Sequence, residues 1–145
     1  MKVAISACLL GNKCRYDGSE NYDPKLIGKL QGCELIPFCP EDFCYGTPRP
    51  TMDLIDKDGE IKAISNLTKA DLTPPIKEYA KAFFDSNPEI ELFIGKDRSP
   101  SCGVCNARLY NEKKELISSN ATGIMAQEAI DRGIKAVDAE EYIKN

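Results

Sequence analysis

The sequence contains no histidine among its 145 residues. Any metal site in this chain must therefore be built from thiolates, carboxylates or atoms of a substrate. Sites made only of thiolates favour zinc or iron–sulfur clusters. The absence of one residue type thus narrows the metal chemistry that the chain can support.

Long apolar runs and long basic runs are missing as well. No stretch of about 18 apolar residues occurs, so we expect no membrane span. The short apolar run in MKVAISACLLG is typical of a first strand and not of a signal peptide, which favours a cytoplasmic protein. A net charge of −4 without a Lys/Arg block argues against a nucleic-acid partner.

The composition, 42% hydrophobic and 29% charged, predicts one globular domain over residues 1–145. Apolar runs alternate with helical patterns, which predicts an α/β sandwich with a mostly parallel, Rossmann-like sheet and a small hairpin insertion. We expect strands at 2–7, 33–38, 91–95 and 134–137, helices at 21–31, 73–86, 122–132 and 139–145, and hairpins at 52–64 and 108–117. The proline-rich segment 39–50 is predicted to be an ordered loop, and Thr73 is predicted to cap its helix.

Seven cysteines are present, so a complete disulfide framework would leave one thiol over. Three of them follow predicted strands: Cys8 after KVAISA, Cys39 after ELIPF and Cys102 in the loop after ELFIG. In open parallel sheets, sites lie outside the carboxyl ends of the strands. We therefore expect these three sulfur atoms to converge at one edge of the sheet.

Three converging thiolates leave several functions open. A structural zinc site usually closes four ligands, and only Cys102 and Cys105 have the C-x-x-C spacing. A cubane iron–sulfur cluster on three cysteines leaves one iron free to bind a substrate sulfur atom as a Lewis acid. The alternatives are a zinc-stabilised binding module without catalysis and a thiol–disulfide protein that uses Cys102 and Cys105.

Polar residues next to these cysteines suit hydrolysis. Glu41 could act as a general base on a water molecule, and Ser101 could donate a hydrogen bond or a proton. Arg15, Asp17 and Arg49 lie on the same loops and could bind a polar ring. Each also has an ordinary structural interpretation, because such residues commonly satisfy turns and backbone groups.

Four motifs occur in order along the chain: SACLLGNKCRYDG, PFCPED, TPRP and RSPSCG. Together with ADLT before the main helix and TGIMAQEAIDRGI near the end, they resemble the DUF523 family, whose characterised members are thiouracil desulfurases. The resemblance covers nearly the whole chain. It implies a small α/β domain with a [4Fe-4S] cluster on three cysteines. This cluster can be absent or replaced when the protein is prepared in air.

The implied reaction converts 2-thiouracil, a free thiolated pyrimidine, to uracil and hydrogen sulfide without net redox change. In that reaction, the substrate sulfur binds the open iron and water replaces it. Matched by motif, the cluster ligands would be Cys8, Cys39 and Cys102, and the catalytic pair would be Glu41 and Ser101.

The sequence also departs from the family pattern. Cys44 and Cys105 are additional thiols in two of the motif loops, and Asp53 stands where the family usually has a glutamate. These differences leave the implied ligands intact but affect loops that would shape the pocket. Cys14 could face the pocket or pack beneath it, whereas Cys33 is predicted to be buried and inert.

Overall fold

A computed structural model describes residues 1–144 of the chain. The strands are β1 (Lys2–Ser6), β2 (Glu34–Phe38), β3 (Met52–Lys57), β4 (Glu60–Ser65), β5 (Leu92–Gly95), β6 (Ala107–Tyr110), β7 (Leu116–Ala121) and β8 (Lys135–Asp138). The α-helices are α1 (Pro24–Lys29), α2 (Pro40–Tyr45), α3 (Thr73–Ser86), α4 (Ile124–Asp131) and α5 (Ala139–Lys144), and a short 3-10 helix spans Ala7–Leu10. Asn145, the last residue of the predicted tail helix, lies outside the described residues.

The first sheet has the strand order β2-β1-β5-β8, and all of its strands are parallel. Its central strand β1 pairs through Ala4 with Ile36 on one side and Phe93 on the other. Burial on both faces explains why this strand is an unbroken apolar run. The expected α/β architecture with a parallel sheet is therefore confirmed, and β1, β2 and β5 end at the same edge.

Helices cover both faces of this sheet. Helices α1 and α5 pack on one face, where Leu26 and Ala139 join a cluster with Val3 and Ile5. On the opposite face, a second apolar cluster brings residues of α3 and α4 against Phe93. These two cores hold the sheet rigidly, so the loops at its carboxyl edge start from fixed positions.

The two predicted hairpins are present, but they form a sheet of their own. Strands β3 and β4 pair antiparallel around Asp58 and Gly59, which both have positive φ angles, as a tight hairpin turn requires. Strand β3 also pairs in parallel with β6, placing Leu54 opposite Leu109. The second sheet therefore has the order β4-β3-β6-β7 and is larger than the small insertion that the sequence suggested.

Three local predictions differ from the structure. The segment predicted as loop contains helix α2, because Pro40 is tolerated in the first helical turn and two acidic residues follow it there. Thr73 is the first residue of α3 and not its cap; its Oγ1 accepts a hydrogen bond from the Ala63 backbone N–H at 2.8 Å. The predicted helix 21–31 is shorter, and α1 begins at Pro24 after the Asp23 cap.

Within residues 1–144, no helix has the length and apolar character needed to cross a membrane.

Candidate active site

A cavity of about 700 Å³ lies at the carboxyl edge of the parallel sheet. Residues from the loops after β1, β2 and β5 form one wall, and residues of the second sheet, including Met52 and Arg108, form another. Four thiols line it: Cys8, Cys14, Cys39 and Cys102. The structure thus brings the three predicted cysteines to one cavity and adds a fourth.

The three predicted thiols are held by different elements. Cys8 lies in the 3-10 helix after β1, and its Sγ accepts a hydrogen bond from Asn21 Nδ2 at 3.4 Å. Cys39 is the residue before α2, and its backbone N–H donates to the Tyr79 hydroxyl at 3.1 Å. Cys102 lies in the loop between β5 and β6 and is buried.

Close backbone contacts fix the loop that carries Cys102. A Cβ atom on Gly95 would lie 1.8 Å from the Cys102 carbonyl oxygen, and one on Gly123 would lie 2.6 Å from the Ser101 carbonyl carbon. Gly103 is similarly tight against the Ser99 carbonyl oxygen, at 2.8 Å. These positions have no room for a side chain, so glycine permits the loop to pack directly on the end of β5 and the start of α4.

Two buried carboxylates also restrain this loop. Asp138, at the end of β8, accepts hydrogen bonds from the backbone N–H groups of Val104 at 2.7 Å and Cys105 at 3.0 Å. Asp97 accepts from Asn106 Nδ2 at 2.8 Å. Each carboxylate oxygen therefore compensates for burial by accepting hydrogen bonds, as buried charged groups require.

Glu41 and Ser101, the predicted catalytic pair, are in direct contact. Ser101 Oγ donates a hydrogen bond to Glu41 Oε2 at 2.6 Å. Ser101 Oγ also lies 3.3 Å from Cys102 Sγ. Ser101 is buried and lines the cavity. The contact connects helix α2, which follows β2, with the loop after β5, although the two residues are 60 positions apart in the sequence.

Arg49 contacts both Glu41 and the loop between the 3-10 helix and α1. Its Nε lies 3.5 Å from Glu41 Oε1, so the two side chains form an ion pair. This buried Nε has no hydrogen-bond acceptor among the described residues. Its Nη2 donates to the Cys14 carbonyl oxygen at 2.9 Å, and its backbone N–H donates to the Tyr16 carbonyl oxygen. With its side chain only 5% exposed, Arg49 is placed to orient the Glu41 carboxylate as well as to line the cavity.

Cys14, which the sequence left open, lies next to Cys39. Cys39 Sγ donates to the Cys14 carbonyl oxygen at 3.8 Å, and the interaction between the two side chains lowers the pKa of Cys39 and raises that of Cys14. Burial raises the pKa of Cys102 well above its usual range. No sequence pattern indicated that these two residues are neighbours, because their contact depends on how two segments 25 residues apart meet.

The two other predicted substrate-binding residues differ in position. Arg15 lines the cavity and donates through Nη1 to Ser19 Oγ at 3.3 Å. Asp17 is exposed on a turn, where its Oδ1 accepts from the backbone N–H of Ser19 at 3.0 Å; within residues 1–144 it is not part of the cavity wall. Further polar residues of the cavity wall were not among the predicted site residues: Asp53 and Arg108 of the second sheet, Asn66 after β4, and Lys96 and Arg98 after β5.

The remaining thiols lie away from the cavity wall formed by the described residues. Cys33, predicted to be buried, is partly exposed because it precedes the edge strand β2. Cys105 is exposed, and its hydrogen bond to Asp138 raises the pKa of its thiol. Only one member of the C-x-x-C pair, Cys102, therefore faces the cavity.

Thiolates are the donors in this set that favour soft metals. Across residues 1–144, no three cysteine, aspartate or glutamate side chains are close enough together to bind a single metal ion. The four cavity thiols instead line the walls of one space. Such a set suits a group with several metal atoms, each bound by a different side chain.

Known proteins resemble this chain over most of its length. A solved structure, of the [4Fe-4S]-dependent thiouracil desulfidase TudS, is 28% identical with a TM-score of 0.77, over 97% of this chain and 91% of that one. The uncharacterized protein YbbK of Bacillus subtilis (strain 168) is 28% identical over 138 residues, which are 88% of this chain and 90% of YbbK. The model of the 2-thiouracil desulfurase family matches residues 3–141. A match of this extent shows that the chain belongs to the 2-thiouracil desulfurase family.

Proposed function

We propose that this protein removes the sulfur atom of a free thiolated pyrimidine such as 2-thiouracil, giving uracil and hydrogen sulfide without net redox change. The observation that carries the proposal is the convergence of Cys8, Cys39 and Cys102 on one cavity beside the Glu41–Ser101 contact. Family membership and the similarity to a [4Fe-4S]-dependent thiouracil desulfidase support it.

The donor set fits a [4Fe-4S] cluster, because all three candidate ligands are thiols that face the same space. In this proposal, Cys8, Cys39 and Cys102 hold the cluster. When bound, the cluster would supply an iron with an open position that binds the substrate sulfur and polarises the carbon–sulfur bond. Asn21 would donate a hydrogen bond to the Cys8 sulfur, as outer groups commonly do to metal ligands.

Glu41 is proposed as the general base. It would accept a proton from the water molecule that attacks the carbon bearing the sulfur, and the carbon–sulfur bond would then break with release of hydrosulfide. Ser101, which already donates to Glu41 at 2.6 Å, would return a proton to the leaving group or the ring. Arg49 would keep the carboxylate turned toward this position.

Arg15 and Arg49 are proposed to bind the polar ring, and a role for Asp17 would require its turn to approach the cavity. Asp53, which replaces the usual family glutamate, lies on the same cavity wall as Arg108. Charged and polar groups on this wall would select among thiolated pyrimidines by hydrogen bonding, which discriminates strongly between polar analogues.

The test is anaerobic reconstitution with iron and sulfide, followed by incubation with 2-thiouracil. We expect about four irons and four sulfides per chain, and equal amounts of uracil and hydrogen sulfide without consumption of a reductant. Binding of zinc in place of iron, with no sulfide release, would instead support a zinc-stabilised binding module.

Variants separate cluster binding from catalysis. Glu41→Gln should keep its iron but release sulfide at least about 100-fold more slowly, because it lacks the base. The matched control Glu112→Gln changes an exposed glutamate between β6 and β7 and should behave as the unmodified protein. Sulfide release at the normal rate by Glu41→Gln would remove this residue from the mechanism.

The thiol–disulfide alternative makes a different prediction. It requires Cys102 and Cys105 to act together, whereas only Cys102 faces the cavity and the thiol pKa of both is raised. Reactive dithiols generally have one thiol of lowered pKa. Cys105→Ser should therefore leave sulfide release intact. Loss of sulfide release in this variant would favour the dithiol function.

A further inference from the structure

Cys14 and Cys39 form a thiol pair inside the cavity. The Cys39 thiol donates a hydrogen bond to the Cys14 carbonyl oxygen at 3.8 Å, so the side chain of one reaches the backbone of the other. Both side chains line the same cavity. The other two cavity thiols have different neighbours: Cys8 lies near Ser6 and Asn21, and Cys102 lies against Ser101.

Arg49 clamps the two loops that carry this pair. Its Nη1 donates to the Gly46 carbonyl oxygen at the end of α2, while Nη2 donates to the Cys14 carbonyl oxygen. Cys39 lies at the start of the same helix. Because Cys39 Sγ lies 3.8 Å from the Cys14 carbonyl oxygen and Arg49 holds both backbones, the two residues are close neighbours, and such proximity is the main geometric requirement for a disulfide.

We propose that Cys14 and Cys39 form a reversible disulfide in the cluster-free protein and that this bond blocks cluster loading until it is reduced. The blocking rests on the proposed function, in which Cys39 is a cluster ligand; formation of the disulfide does not. The thiols are free in the structure, as the reduced state requires.

A low-molecular-weight disulfide, such as oxidised glutathione, is the oxidant. The Cys39 thiolate attacks one of its sulfur atoms, which forms a mixed disulfide and releases one glutathione thiol. Cys14 then attacks the Cys39 sulfur, closing the protein disulfide and releasing the second glutathione thiol. Two electrons and the two thiol protons pass to glutathione, and a dithiol reductant reverses the reaction.

Peptide mapping tests the bond itself. Cluster-free protein is incubated with oxidised glutathione, its remaining thiols are blocked with N-ethylmaleimide, and it is digested with trypsin and Glu-C. Cleavage after Lys13, Arg15, Glu34 and Glu41 separates Cys14 and Cys39 from all other cysteines, so the pair gives residues 14–15 linked to residues 35–41. We expect this linked peptide from the unmodified protein and from the control Cys33→Ser, and its loss in Cys14→Ser.

Iron content tests the consequence. Oxidised cluster-free protein should lose iron uptake during anaerobic reconstitution, and pretreatment with dithiothreitol should restore it. Reduced Cys14→Ser should take up as much iron as the reduced unmodified protein. The proposal is overturned if Cys39 pairs with Cys44 or another thiol, if the oxidised protein takes up iron normally, or if reduced Cys14→Ser does not, since Cys14 would then be a ligand.

These outcomes are distinct from those of the proposed function. If reduced protein takes up no iron and releases no sulfide, the desulfurase function fails, while the linked peptide still reports the disulfide. If reduced protein is active but the linked peptide is absent, only the disulfide fails.

Discussion

Gly95→Ala is expected to displace the loop that carries Ser101 and Cys102. Gly95 ends β5, and a Cβ atom there would lie 1.8 Å from the Cys102 carbonyl oxygen, whereas real Cβ contacts essentially never fall below 3.0 Å. Both atoms in this clash belong to or are bonded to backbone, so no flexible side chain can absorb it. The loop or the strand must move by about 1 Å or more to relieve an overlap of this kind.

The cost of this movement can be estimated. Overpacking usually destabilises by about 1–3 kcal/mol, and a clash with backbone belongs at the upper end. For a domain of this size, each kcal/mol lowers Tm by about 2–4 °C, so we expect a fall of about 6–12 °C. Iron content after reconstitution should fall as well, because Cys102 would be misplaced relative to Cys8 and Cys39.

Gly28→Ala is the matched control. Gly28 lies within α1, and nothing lies within 4 Å of the Cβ position. Alanine is the better helix former by up to about 1 kcal/mol, so Tm should stay the same or rise. Thermal unfolding by circular dichroism and iron analysis report the two effects separately. A Gly95→Ala protein with unchanged Tm and unchanged iron content would refute the close packing of the loop on β5.

Three further changes test the contacts around the cavity. Tyr79→Phe removes the hydroxyl that accepts from the Cys39 N–H and should lower the free energy of unfolding in urea by about 1–2 kcal/mol; an unchanged value would mean that another acceptor replaces it. Asp138→Asn weakens the acceptor for two loop N–H groups and should cost about 2–3 kcal/mol, whereas the exposed control Asp131→Asn should cost much less. The Arg98 guanidinium lowers the pKa of Glu140, so this ion pair stabilises the fold above the ordinary glutamate pKa of 4.5 and loses its effect as the pH falls through the lowered value. Glu140→Gln should therefore cost less than about 1 kcal/mol at pH 7, and its cost should decrease as the pH falls through the lowered pKa of Glu140; a cost that does not change with pH would contradict the ion-pair explanation.

Local patterns in the sequence were sufficient for much of the fold. The apolar stripe and prolines of 73–86 predicted α3 with the bounds that the structure has. The same reasoning placed Cys8, Cys39 and Cys102 after strands, and the rule that parallel strands end at one edge then brought them together. These inferences depend only on local periodicity and on one topological rule, so they require no knowledge of the loop paths.

Contacts between loops were beyond such reasoning. The Ser101–Glu41 hydrogen bond, the Arg49 contact with Cys14 and the Cys14–Cys39 pair each join residues that no short-range pattern relates. The parallel pairing of β3 with β6 is similar, because it joins two hairpins that the sequence shows only as separate units. The motif resemblance predicted Glu41 and Ser101 as a catalytic pair, but it left open whether Cys14 faces the cavity or packs beneath it.

The contacts that restrain the Ser101–Cys102 loop involve backbone atoms of that loop. The position of the loop is therefore independent of the side chains that would perform the chemistry at the proposed site. Asp138 and the three glycines hold main-chain groups of the loop, whereas the Ser101 hydroxyl and the Cys102 thiol project into the cavity without being needed for those contacts. Ser101→Ala should therefore keep the loop path and the iron content while it removes the hydrogen bond to Glu41. Loss of iron as well as activity in Ser101→Ala would mean that the side chain, and not the backbone, holds Cys102 in place.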